Sequence, residues 1–296
     1  MRRIGNLLIL SIISSWCIAV PCSDAAGRLS VFVSILPQQY FVQQIGGDFV
    51  DVQVMVQPGA SPATYEPKPR QMAAITASAL YFAIGVPFES AWLDKISAAN
   101  PRMTVIHTDQ GITKRPMATH AHEGQQHPEP ENAEGILDPH IWLSPPLVKI
   151  QVRTICDALV SQDPGHGAAY KANCARFIAD LEVIDRDLRH DFEPYRGLRF
   201  MVFHPSWGYF AQTYGLTQIP IEVEGKAPKP AQLAEIITLA RQQDIRVIFV
   251  QPQFSAKSAT LVAKAIGGRL VPADPLAPDW PQNLKSVAAA FAAALK

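Results

Sequence analysis

Residues 168–193, Ala168-Ala169-Tyr170-Lys171-Ala172-Asn173-Cys174-Ala175-Arg176-Phe177-Ile178-Ala179-Asp180-Leu181-Glu182-Val183-Ile184-Asp185-Arg186-Asp187-Leu188-Arg189-His190-Asp191-Phe192-Glu193, decide the reading of this chain. Tyr170, Cys174, Phe177, Ile178, Leu181, Ile184, Leu188 and Phe192 recur mostly at intervals of three or four, the period of an amphipathic helix. At 1.5 Å per residue the helix is roughly 40 Å long, enough to run the length of a two-lobed molecule. Pro194 to Gly197 stop it, so residues 168–196 are read as a rigid connector.

Both flanks carry alternating strand and helix patterns. Before the connector, buried apolar runs over 29–36, 80–85 and 103–107 and an alternating run over 50–56 predict four strands, separated by helices over 38–45, 70–79 and 89–99. A further helix over 145–160 completes a lobe spanning 27–165. After the connector, strands over 198–203, 218–223, 245–250 and 269–271 alternate with helices over 207–214, 230–243, 258–266 and 281–295, which predicts a second lobe over 197–296. The expected fold is therefore α/β, two four-stranded parallel-sheet lobes joined by a single long α-helix.

The 296 residues are 48% hydrophobic, ample for two cores. Lys plus Arg is 26 and Asp plus Glu is 26, so no excess positive charge exists to hold phosphates, and nucleic acid is not an expected partner. Met1-Arg2-Arg3 followed by an apolar run to Val20 has the form of a secretory signal, with Ser23 and Ala25 offering a cleavage site, so residues 1–25 are read as a signal peptide leading to the periplasm. Pro21 stands directly before Cys22 and disfavours a lipid anchor there.

Removal of the signal leaves Cys156 and Cys174 of the four cysteines. They lie equally far on either side of Gly165, at a helix break, so an antiparallel helix pair places them opposite each other. A disulfide suits an oxidising compartment, and two buried thiols packed as small hydrophobes are the alternative.

Candidate ligands gather where strands end. Asp138-Pro139-His140-Ile141-Trp142-Leu143-Ser144-Pro145 stops a long polar loop and holds one imidazole just ahead of a helix, with Ser144 expected to cap that helix and Pro145 to begin it. Upstream, residues 113–135 have no apolar period and contain His120, His122 and His127 among Glu123, Glu129, Glu131 and Glu134, a metal-attracting composition. In open parallel sheets ligands sit beyond the carboxyl ends of strands, where His204 follows one strand and Asp274 another. His140, His204 and Asp274 are thus expected to meet in one cleft. Two imidazoles and a carboxylate suit Zn²⁺ or, with more oxygen donors, Mn²⁺ or Fe²⁺.

Ser61-Pro62-Ala63-Thr64-Tyr65-Glu66-Pro67, the 138–145 stretch, Phe203-His204-Pro205-Ser206-Trp207-Gly208-Tyr209-Phe210 and Ala273-Asp274-Pro275-Leu276, taken in order, resemble the zinc and manganese solute-binding proteins of ABC transporters, the ZnuA-like family (cluster A-I). The resemblance covers nearly the whole mature chain. It implies two α/β lobes joined by one long helix, a Zn²⁺ ion (Mn²⁺ being the second choice) carried between them to a membrane permease, a monomer, and no enzymatic activity. It matches His140 and His204 to ligand positions and Asp274 to an acidic one, and likens 113–135 to a His-rich loop. One position departs: Ala63 stands where the family usually has His. Glu66, Tyr65, His120, His122, His127 and water are the substitutes open to the site. A secreted hydrolase with the same His/His/Asp set and an open water position is the alternative reading.

Overall fold

The computed structural model describes residues 27–118, 137–223 and 226–295. The expected signal peptide, Cys22 and the three histidines His120, His122 and His127 lie outside them. In the first lobe β1 (Leu29–Val33), β2 (Val50–Val54), β3 (Leu80–Ala83) and β4 (Thr104–His107) form one parallel sheet in the order β2-β1-β3-β4. The second sheet repeats that order as β6-β5-β7-β8, with β5 (Arg199–Val202), β6 (Thr217–Pro220), β7 (Val247–Val250) and β8 (Arg269–Pro272). Parallel strands covered on both faces need apolar side chains at every position rather than at alternate ones. Leu80-Tyr81-Phe82-Ala83 in β3 is buried throughout.

Helices α1 (Leu36–Gly46), α2 (Pro69–Ile75) and α3 (Pro87–Ala99) belong to the first lobe, α6 (Gly208–Tyr214), α7 (Pro230–Gln242) and α8 (Lys257–Ile266) to the second. Prolines open α2, α3 and α7, where the first turn has no use for a backbone donor. At the end of α1 a Cβ on Gly46 would collide with the side chain of Val50, the first residue of β2, so glycine suits the close turn between them.

Helices α4 (Pro145–Gln162) and α5 (Gly167–Phe192) pack antiparallel, and α9 (Trp280–Ala294) closes the chain. The 26-residue α5 is the predicted long helix, buried along Tyr170, Cys174, Phe177, Leu181, Ile184, Leu188 and Phe192, with Ile178 half-buried. Its first half meets the first lobe, Phe177 packing on Tyr40 and Phe41. Its last turn meets the second, Phe192 against Phe210 and Tyr214. One continuous apolar cluster consequently runs through both lobes, and a smaller one around Met201, Ile219, Ile248 and Ala259 lies beneath α7 and α8.

Two local expectations are corrected. Cys156 and Cys174 are opposite each other across α4 and α5, as the spacing required, yet both are free, buried thiols. The Cys156 thiol turns instead toward the carbonyl of Tyr170 at 3.8 Å. Ser144 does occupy the N-cap of α4, but its side chain makes no cap. The hydroxyl lies 2.9 Å from Thr213 Oγ1 on α6, so it joins the lobes rather than the helix end.

Candidate metal centre

His140 sits in a loop whose shape is set by Asp138. Asp138 Oδ1 accepts from the His140 backbone N–H at 3.0 Å and from His140 Nδ1–H at 2.7 Å, a local turn that fixes the peptide and the imidazole together. Asp138 is fully buried. Its own N–H donates to Arg115 O, and its carbonyl accepts from the Tyr209 hydroxyl at 2.9 Å, a contact with the other lobe. Immediately after His140 a short 3₁₀ turn buries Ile141, Trp142 and Leu143. The Trp142 indole donates to Pro275 O at 2.7 Å, and Trp280 donates to Trp142 O at 2.8 Å, two further links across the cleft.

His204 follows β5 and is held differently. Gln251, just past β7, accepts from His204 N–H at 3.2 Å and donates from Nε2 to His204 O at 2.7 Å. The imidazole Nδ1–H donates to Glu222 Oε1 at 2.7 Å, and Glu222 comes from the turn after β6. Phe254 stacks on the ring at a centroid distance of 4.6 Å.

A carboxylate accepts hydrogen bonds and does not donate, so both rings carry their proton on Nδ1 and leave Nε2 as a lone-pair donor. Carboxylate-backed imidazoles of this kind are the usual form of a metal-binding His. The two rings lie 5.2 Å apart, centroid to centroid. Two imidazoles bound through nitrogens about 2.0–2.1 Å from one tetrahedral zinc have ring centres about 5 Å apart, so the spacing suits a shared ion. Burial pushes the His140 pKa down, against the opposing pull of Asp138, which favours the neutral ring that a metal requires.

The two rings line a cavity of about 50 Å³ whose other walls include Ala63, Met117, Gln253 and Phe254. Such a space takes an ion with a water or two, not an organic molecule, whose pockets run to roughly 300 Å³ and more. The Ala63 methyl forms part of the wall, where it offers no donor. Tyr65 is buried with its hydroxyl donated to Gln71 at 2.7 Å, and Glu66 is exposed; neither forms part of the wall. Asp274 follows β8 as expected, but its Oδ1 accepts from Gln253 Nε2 at 2.7 Å and from Leu276 N–H at 2.9 Å. It stands behind Gln253 and is not part of the cavity wall. Among the described residues, no three His, Cys, Asp or Glu side chains gather closely enough to hold an ion.

The two imidazoles expected at the cleft thus meet there, each with a carboxylate partner that the sequence reading does not assign, and Gln253 joins the cavity wall beside them. Asp138 carries its own signal in the sequence: its spacing two residues before His140 is that of a side chain capping its own turn. Gln253 follows β7, the same signal that singled out His204 and Asp274, whereas Glu222 falls inside the strand expected over 218–223 and is freed only because β6 ends at Pro220.

The family model for the zinc-uptake complex component A, periplasmic, matches residues 31–294. The chain is similar to the high-affinity zinc uptake system protein ZnuA of Bacillus subtilis (strain 168), 29% identical over 252 residues, 83% of this chain and 78% of that protein. It is also similar to the iron-binding protein YfeA of Yersinia pestis, 27% identical over 81% of this chain and 77% of the other. Among solved structures, a crystal structure of ZnuA superposes with a TM-score of 0.84 at 44% identity, covering 91% of this chain and all of the other. A zinc-bound ZnuA lacking residues 138–173 of its own chain superposes at 0.82 with 43% identity, covering 91% of this chain and 99% of that one.

Proposed function

Since this chain belongs to the family of the zinc-uptake complex component A, we propose that it is the solute-binding protein of a metal ABC transporter, holding Zn²⁺ between its lobes for delivery to a membrane permease. Mn²⁺ is the alternative cargo. One observation carries the reading at the level of residues: His140 and His204, from opposite lobes, approach to 5.2 Å, and each is backed by a carboxylate at Nδ1. On this reading both imidazoles bind the ion through Nε2, and Asp138 and Glu222 fix the tautomer and offset the charge of the cargo.

The family acts outside the cytoplasm. For this chain the finer placement is the periplasm, reached through the signal at 1–25, with the mature protein working as a monomer and without catalysis. The histidines of 113–135 are assigned to collecting metal ahead of the cleft. The hydrolase alternative has no support in the comparisons, whose names describe metal-binding and metal-uptake proteins.

The purified mature protein is expected to contain about one zinc per chain by elemental analysis and to bind Zn²⁺ in competition with a chromophoric chelator. A chain that takes up no Zn²⁺ or Mn²⁺ would end this reading.

A further inference from the structure

Gln253 lies in the wall of the cavity that His140 and His204 share. A primary amide has a donating end and an accepting end, and here the two are distinguishable. Nε2 donates to Asp274 Oδ1 at 2.7 Å, and that carboxylate oxygen is itself held by Leu276 N–H at 2.9 Å. The carboxylate only accepts, so turning the amide over would set oxygen against oxygen. That leaves Oε1 as the opposite end, and Oε1 is buried without a hydrogen-bond partner. A buried carbonyl oxygen without a partner is costly, and such groups in a native protein call for an ion, a water or a strain that explains them. The backbone around Asp274 is anchored too, since Asn283 Nδ2 donates to Asp274 O at 2.7 Å.

We propose that Gln253 Oε1 is the third protein donor to the metal, taking over the part that Ala63 leaves unfilled, and that Asp274 is the positioning residue that aims it. This rests on the reading of the cleft as a metal site. It also accounts for the two imidazoles having no third His, Cys, Asp or Glu beside them among the described residues: the remaining donor is an amide. All three donors then follow one plan. His140 is backed by Asp138, His204 by Glu222 and Gln253 by Asp274, in each case through an N–H donated to a carboxylate at 2.7 Å. The donor set is neutral, and the charge that balances a divalent cation sits one hydrogen bond further out. Two imidazole nitrogens and an amide oxygen, with a water in the remaining position, suit Zn²⁺ and tolerate Mn²⁺.

The test uses the full mature chain, with Zn²⁺ as the probe in chelator competition. Gln253→Ala is expected to weaken Zn²⁺ binding by about 100-fold, and Asp274→Ala by roughly 10-fold, the usual range for a group supporting a ligand. If Asp274 acts through Gln253, the double variant binds no more weakly than Gln253→Ala alone. The metal-free Gln253→Ala protein keeps the melting temperature of the parent, while the rise in melting temperature on adding Zn²⁺ shrinks; a merely structural glutamine would lower the metal-free value. Zn²⁺ affinity unchanged in Gln253→Ala, or a full Asp274→Ala loss persisting in the Gln253→Ala background, overturns the proposal. Failure of the cleft reading looks different: His140→Ala would then bind Zn²⁺ as the parent does.

Discussion

The two lobes repeat one sheet order and each brings one imidazole to the cleft, yet they brace it by opposite means. In the first lobe the brace is local: Asp138 is two residues from His140 and holds its backbone and its ring with a single oxygen. In the second it is assembled from distant segments, Glu222 after β6 and Gln251 after β7 closing on His204 from two directions. A local brace forms with the loop that carries it. A distributed brace exists only once the sheet has paired, so His204 is as well placed as the second lobe is folded.

The comparison can be broken most severely at the imidazoles. His140→Ala and His204→Ala should each lower Zn²⁺ affinity by 100-fold or more, read by chelator competition, since each removes a donor as well as its carboxylate pairing. A much larger loss at one than at the other would mean that the lobes do not share the ion. Next come the braces. Asp138→Asn and Glu222→Gln should each cost about 10- to 100-fold in affinity, as lost outer partners of metal-bound His do. They should part company in urea denaturation of the metal-free protein: Asp138→Asn loses about 1–3 kcal/mol, because a buried carboxylate serving two donors is weakened, and Glu222→Gln loses less. Equal losses would erase the distinction between local and distributed bracing.

Smaller effects sharpen the picture. Phe254→Leu removes the ring stacked on His204 and keeps most of the bulk, and should weaken binding by about 0.5–1.5 kcal/mol with His140 unaffected. The smallest effect belongs to the thiol pair, which lies between α4 and α5 and touches neither imidazole. Burial pushes the Cys156 thiol up to about 12. At pH 8 only about one molecule in ten thousand therefore carries the reactive thiolate. Alkylation by iodoacetamide should be slow in the native protein, rise as pH climbs toward 12, and become fast in urea at any alkaline pH. Cys156→Ala should leave Zn²⁺ affinity within roughly twofold, as expected of a distant site.

The bracing difference also governs what could be read in advance. The eight strands and the long α5 were legible because parallel strands and amphipathic helices write their burial into residue order, position by position. His140 was legible for a different reason: it closes a long polar loop, and Pro139 and Pro145 fix the chain on either side of it in sequence. His204 and Asp274 could be placed at strand ends, but not what they bond to, because Glu222 is 18 residues from its His and Gln253 is 21 from its Asp. No periodicity reports such pairings. An amide has no sequence signature as a donor: metal chemistry in a sequence is read from carboxylates, thiols and imidazoles, and Gln253 is none of these. The cysteines show the limit from the other side: spacing put them face to face, and says nothing of whether the sulfurs bond to each other or to a carbonyl nearby.

The links through Trp142 have a further consequence. Its indole reaches Pro275 in the opposite half, its carbonyl takes the Trp280 indole, and all of this sits in an apolar cluster shared by both halves around α5. Such a seam resists the clamshell opening by which hinged receptors advertise whether they are full. On the reading proposed above, metal exchange would instead turn on short segments at the mouth of the cleft, with the two halves keeping their relation to each other.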